Sequence, residues 1–159
     1  MPHMTPFTCT FRTGPDAVIL ELAGALNENA KLPQVPTTPR LTINLDQVSQ
    51  VNSVGIREWC GWIRKLPPTL KITLEGCPFL FVKSFSLIRG VLPSNAIVGS
   101  MYLPFYSEKT KEERSVLLKN GQHYSNHGLL ELPIVKDTRG HLMEVDVTTR
   151  NYLAFLRES

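Results

Sequence analysis

Asn52-Ser53-Val54-Gly55 is the stretch of this chain whose residue types and placement could do chemistry. It is a short polar turn at the point where a two-residue apolar period changes to a three-and-four period, so it marks a strand feeding a helix. The first N–H groups of a helix have no intrahelical partner, and the helix dipole is positive there. An anion or a phosphoserine at position 53 is therefore well tolerated. Asn52 and Ser53 are also good N-cap types, and capping alone, the reading the residue types favour, accounts for them. No pair of carboxylates, Ser-His-Asp set or glycine-rich phosphate loop stands at recognisable spacing elsewhere. Asp46 and Glu58 are single acids that suit a turn cap and a solvated face. His123 and His127 are four apart with no cysteine beside them, and His141 follows Gly140 as a turn residue. Cys9, Cys60 and Cys77 form no C-x-x-C pair, which reads as reduced thiols, with Cys60 a small core residue. The expectation is a protein that is not an enzyme and holds no metal or cofactor.

The elements around the turn are plain in outline. Leu41, Ile43 and Leu45 alternate with Thr42, Asn44 and Asp46, a strand with one buried face. Ile56, Trp59, Cys60, Ile63 and Leu66 then form one helical stripe. Arg57, Glu58 and Arg64 fall on the opposite side. Trp62 sits at the stripe's margin, available either to the core or as an anchor for a partner. Pro67-Pro68 stops this helix.

Upstream, 7–12 and 17–22 predict two strands joined as a hairpin through Thr13-Gly14-Pro15-Asp16. Residues 27–40 carry Pro33, Pro36 and Pro39 and predict an extended connection with one short turn. Downstream, Leu70, Ile72 and Leu74 mark a strand. Phe81, Val82, Phe85, Ile88 and Leu92 mark a second helix, weakened by Gly90 and ended by Pro93. Residues 96–106 predict a strand. The order β-β-β-α-β-α-β favours right-handed crossovers and a mostly parallel sheet with helices on one face.

After Tyr106 the composition shifts. A charged run is followed by Val116-Leu117-Leu118, an Asn120-Gly121 hairpin signal, a turn over 137–140, a strand over 142–147 and a short helix over 149–157. The reading is an α/β domain over 1–106 and a small β-rich extension over 107–159 that packs on the domain or on a second chain. The 159 residues suffice for a real core, roughly 70% of the unfolded surface being buried at this size. A net charge of +3 without a long basic run makes nucleic acid an unlikely partner. No window reaches the ~18 apolar residues of a membrane span, so a cytoplasmic protein is expected.

The pattern over 7–106 resembles the STAS domain, the fold of the bacterial anti-anti-sigma factors (anti-sigma factor antagonists). Val18-Ile19-Leu20-Glu21-Leu22-Ala23-Gly24 is similar to the family's second strand and following glycine, and Leu41 to Asp46 with Val48 to its third strand. Asn52-Ser53-Val54-Gly55 resembles its Asp-Ser-x-Gly motif, with Asn52 in place of the acid. The resemblance implies that Ser53 is a phosphorylation site and that the unphosphorylated form binds a partner. That partner would be an anti-sigma factor or a related histidine-kinase-like ATPase domain. It also implies that Asn52, Ser53, Val54, Gly55, Arg57, Glu58 and Trp62 form the contact surface. The amide at 52 cannot carry the charge of the family's acid, which weighs against switching by phosphate.

The extension is similar to a zinc ribbon that has lost its ligands. Ser107 and Thr110 stand where the first C-x-x-C would be, Lys136 and Arg139 where the second would be, and Leu142-Met143-Glu144-Val145-Asp146 continues the frame. Zinc needs four sulfur or nitrogen donors, so the resemblance implies a frame that something else must stabilise. The first functional reading is a regulatory protein-binding module for signalling to transcription. Its rivals are a structural protein in which the extension makes a homodimer, and a STAS-type sensor of a nucleotide or another small ligand.

Overall fold

The computed structural model describes residues 5–157. β1 (Thr8–Thr13) and β2 (Val18–Leu26) form the expected antiparallel hairpin, with Thr13 opposite Val18. β3 (Arg40–Val51) runs parallel to β2, and α1 (Ser53–Arg64) returns the chain to β4 (Lys71–Glu75). α2 (Phe79–Leu87) returns it to β5 (Ala96–Val98). The sheet order is β1-β2-β3-β4-β5, parallel at every step after the hairpin. Both crossovers step in the same direction, so right-handed connections place α1 and α2 on the same face. Trp59 of α1 meets Phe81 of α2 edge-on, ring centres 4.8 Å apart.

The strand alternation explains why one face is covered. Leu41, Ile43 and Leu45 are buried under the helices, with Leu20, Leu22, Ile72 and Leu74 beside them. Glu21, Thr42, Asn44, Thr73 and Glu75 occupy the intervening positions and stay partly exposed. A face of that composition tolerates water and needs no second helical layer.

Four elements differ from what the apolar runs predict. β2 and β3 are longer, because two irregularities in their pairing carry β2 past Gly24. Gly24 has φ +85°, and a Cβ there would lie 2.2 Å from the Pro6 carbonyl oxygen where the N-terminal segment crosses. The expected second helix stops at Leu87; Ile88 is extended and exposed, and Gly90 has φ +94°. The chain turns back there, which buries Val91 and lets its carbonyl accept from the Trp59 indole N–H at 2.8 Å. The expected strand over 96–106 divides at Gly99: β5 stays in the first sheet, and β6 (Ser100–Tyr106) leaves it.

β6 is the centre of a second, antiparallel sheet. It lies between β7 (Glu113–Lys119) and the two-residue β10 (Glu144–Val145), which is all that forms of the strand expected over 142–147. Asn120-Gly121 does not close a two-residue hairpin. Gly121 N–H reaches the Tyr124 carbonyl at 2.7 Å, and the turn leads into the small hairpin of β8 (Tyr124–Ser125) and β9 (Gly128–Leu129). Tyr124 itself is buried and donates its hydroxyl to the Val98 carbonyl at 2.7 Å. The terminal helix forms as two pieces, α3 (Thr149–Tyr152) and a 3-10 turn (Ala154–Arg157). Tyr152, Leu153, Phe155 and Leu156 face inward as their spacing predicts. The extension packs on its own chain: Tyr152 stacks on Phe79 at 5.6 Å, and Phe155 meets Phe85 at 5.1 Å. A single buried cluster therefore runs from Val18 to Leu156.

Candidate functional site: the rim at the start of the first helix

Asn52 organises the rim. Its side-chain oxygen accepts from the Gly55 N–H at 2.8 Å, and its carbonyl accepts from Ile56 N–H at 3.0 Å, so it is the N-cap of α1. Its amide nitrogen donates to Glu28 Oε2 at 2.9 Å. Both ends of the amide are used, which an aspartate could not match: it would accept from Gly55 but turn a second carboxylate towards Glu28. The hydrogen bond from Asn52 is the chief reason the Glu28 carboxyl sits below the usual range. The amide at position 52 thus has a local structural role.

Gly55 is fixed by contact. A Cβ there would lie 1.9 Å from the Leu26 carbonyl oxygen, so the first turn of α1 rests directly on the end of β2. Asn52 N–H donates to that same oxygen at 3.2 Å. Ser53 is the first residue of the helix and is exposed; Val54 is half-buried. Arg57 follows Ser53 by four positions and so shares its side of the helix. Arg57 and Glu58 are both exposed.

These residues border a groove between α1 and the start of the proline-bearing connection. Lys31, Leu32, Arg57, Glu58, Gly61 and Trp62 line it, and it encloses about 480 Å³. Trp62 is half-buried, 5.4 Å from the Trp59 ring, and donates its indole N–H to the Pro33 carbonyl at 2.7 Å. It pins the connection to the helix and forms one wall, with part of its side chain left exposed. Nothing in the spacing of Pro33 pointed to that bond, and Lys31 and Gly61 were not anticipated as part of the surface. Lys31, Arg57 and Lys65 against Glu58 make the groove mixed but net basic.

No family model, curated protein or solved structure matches the chain.

The ribbon-like positions of the extension do converge, around a carboxylate. Ser107 Oγ donates to Asp137 Oδ2 at 2.6 Å and Thr110 Oγ1 to the same oxygen at 3.1 Å. The backbone N–H groups of Arg139 and His141 both reach Asp137 Oδ1 at 2.9 Å. His141 Nδ1 lies 3.2 Å from Oδ2. Burial opposes ionisation of Asp137, but the hydrogen bonds from Ser107, His141, Arg139 and Thr110 outweigh it and hold the carboxyl well below the usual range. Lys136 and Arg139, the expected counterparts of the second ligand pair, are exposed; the residue turned inward is Asp137. His123 does not join His127 in a cluster, since its Nδ1 accepts from Lys119 N–H at 2.9 Å. Among the described residues no group of three His, Cys, Asp or Glu side chains could hold a metal. None of the described helices is long and apolar enough to cross a membrane.

Proposed function

We propose that this chain is a non-enzymatic regulatory module that binds a partner protein through Asn52–Gly55 and the groove side of α1. One observation carries the reading: Ser53 opens α1 exposed to solvent, one turn before Arg57 and Glu58, which border an open groove. The element order and the mostly parallel five-stranded sheet support the STAS-like reading that suggested the site. That reading makes the partner an anti-sigma factor or a histidine-kinase-like ATPase domain. The groove's excess of Lys and Arg suits an acidic element on such a partner.

Phosphate on Ser53 adds about −2 charge at a helix start that accepts it. It also cancels part of the basic character that draws an acidic partner, so modification releases the partner without unfolding the chain. The test is recovery of partners from a lysate of the source cell with wild type, Ser53→Ala and Ser53→Asp as bait. The reading predicts a partner held by wild type and Ser53→Ala and lost by Ser53→Asp. Equal recovery by all three removes the switch, and no recovery by any removes the docking surface.

A further inference from the structure

The second sheet has an unpaired side. In the order β10-β6-β7, β7 is an edge. Lys119 N–H turns away from β6, since it donates to His123 Nδ1, and its carbonyl accepts from the N–H groups of Gln122 and His123. The two-residue period of a strand turns the backbone groups of Leu117, Ser115 and Glu113 the same way. At the other end Glu112 faces β6, because its carbonyl accepts from Ser107 N–H at 3.0 Å, which agrees with that phase. Glu113 and Ser115 are exposed and Leu117 is half-buried. Among the described residues nothing bonds the outward backbone groups of Ser115 or Leu117.

An open edge of this kind is a template for another strand. The side chains say which strand fits. β7 reads Glu113-Arg114-Ser115-Val116-Leu117-Leu118-Lys119. Laid antiparallel against itself about Val116, it sets Ser115 opposite Leu117 on both sides of the centre. Both are outward-bonding residues, so each pair exchanges two main-chain hydrogen bonds. The same register sets Glu113 opposite Lys119 at both ends, on the same face; the Lys119 backbone is already bonded within its own chain, so these ends meet through their side chains alone. Sliding by one residue opposes outward groups to inward ones. Sliding by two sets Glu113 against Leu117 or Lys119 against Ser115 and loses both ion pairs. Edges that resist pairing carry like charges, inward charges or proline; here opposite charges at the two ends attract an antiparallel copy. The other long edge, β1, has no such charge pairing in any register, because Arg12 is its one charged residue.

We propose that β7 pairs with β7 of a second copy of this chain about a two-fold axis, joining the two small sheets into one of six strands. This surface is separate from the α1 rim, so the proposal stands or falls independently of partner docking there. The test is the mass of the full chain in solution by size exclusion with light scattering, for wild type and three variants. Ser115→Pro removes an outward N–H without touching the ladder to β6, so the monomer keeps its fold, which circular dichroism checks. Glu113→Lys sets two lysines opposite at each end, and adding Lys119→Glu restores opposite charges. The expected result is a wild-type dimer, a Ser115→Pro monomer, an affinity about tenfold weaker for Glu113→Lys, and recovery in the double variant. A monomeric wild type, or a dimer indifferent to Ser115→Pro and to the charge exchange, overturns the proposal.

Discussion

Two glycines in α1 should respond to the same substitution with opposite signs. A Cβ on Gly55 meets the Leu26 carbonyl oxygen at 1.9 Å and its carbon at 2.4 Å, both backbone, whereas a Cβ on Gly61 meets nothing within 4 Å. Ordinary contact begins near 3.4 Å, so Gly55→Ala requires a shift of 3.4 − 1.9 = 1.5 Å between the start of α1 and the end of β2. That shift pulls on the Asn52 N–H bond to Leu26 and on the Asn52 cap to position 55. Overpacking costs about 1–3 kcal/mol and a strained cap about 1 kcal/mol. The better helix propensity of alanine returns at most about 1 kcal/mol. The net loss for Gly55→Ala is about 1–3 kcal/mol, or roughly 2–12 °C in melting temperature at this chain length. Gly61→Ala has no clash to offset and should gain about 0.5–1 kcal/mol. Urea unfolding of the full chain reads both, with the slope against denaturant compared to confirm the same transition. A Gly55→Ala chain as stable as wild type would refute the close approach of helix and strand on which the site is built.

Trp62→Phe keeps a ring against Trp59 but leaves the Pro33 carbonyl without its donor; unfolding should show a loss of about 1 kcal/mol, and amide exchange should quicken over 30–36. Asn52→Asp keeps the acceptor for Gly55 and removes the donor to Glu28. The Glu28 carboxyl should then titrate at higher pH than in wild type, read by NMR of its side chain, and an unchanged titration would deny the bond. Asp137 titrates lower in the folded chain than in the unfolded one. Its contribution is therefore present above the unfolded value of about 3.9 and is lost as pH falls below it. Thermal unfolding from pH 7 down to about 2 should show a steep acid limb that flattens in Asp137→Asn, which is also less stable at neutral pH.

The first half of the chain was legible because its signals are local. The alternation over 41–45 and the stripe of Ile56, Trp59 and Ile63 depend on which side of one element is buried, and burial follows them. The cap at Asn52 was legible as a residue type. Its second bond, to Glu28, was not, because the two meet only after β2 and β3 pair. The split at Gly99 and the early end of α2 were hidden for a similar reason: apolar content persists through both, and the chain's direction is decided by contacts with Cys77 and Trp59. In the extension the frame of two facing turns was legible, but its centre was placed at Lys136 and Arg139. The turn chemistry of Asp137, a side chain that bonds backbone N–H groups just ahead of it, was the available signal for the correct residue.

The central claim is that the groove side of α1 is where a partner docks. Gly61→Leu tests it most directly, because the side chain enters that groove from a position with free space and leaves the core untouched. Calorimetric affinity for the partner recovered by the wild-type chain should fall by about tenfold or more, with folding stability held or raised. An affinity equal to wild type would place the contact surface elsewhere on the molecule.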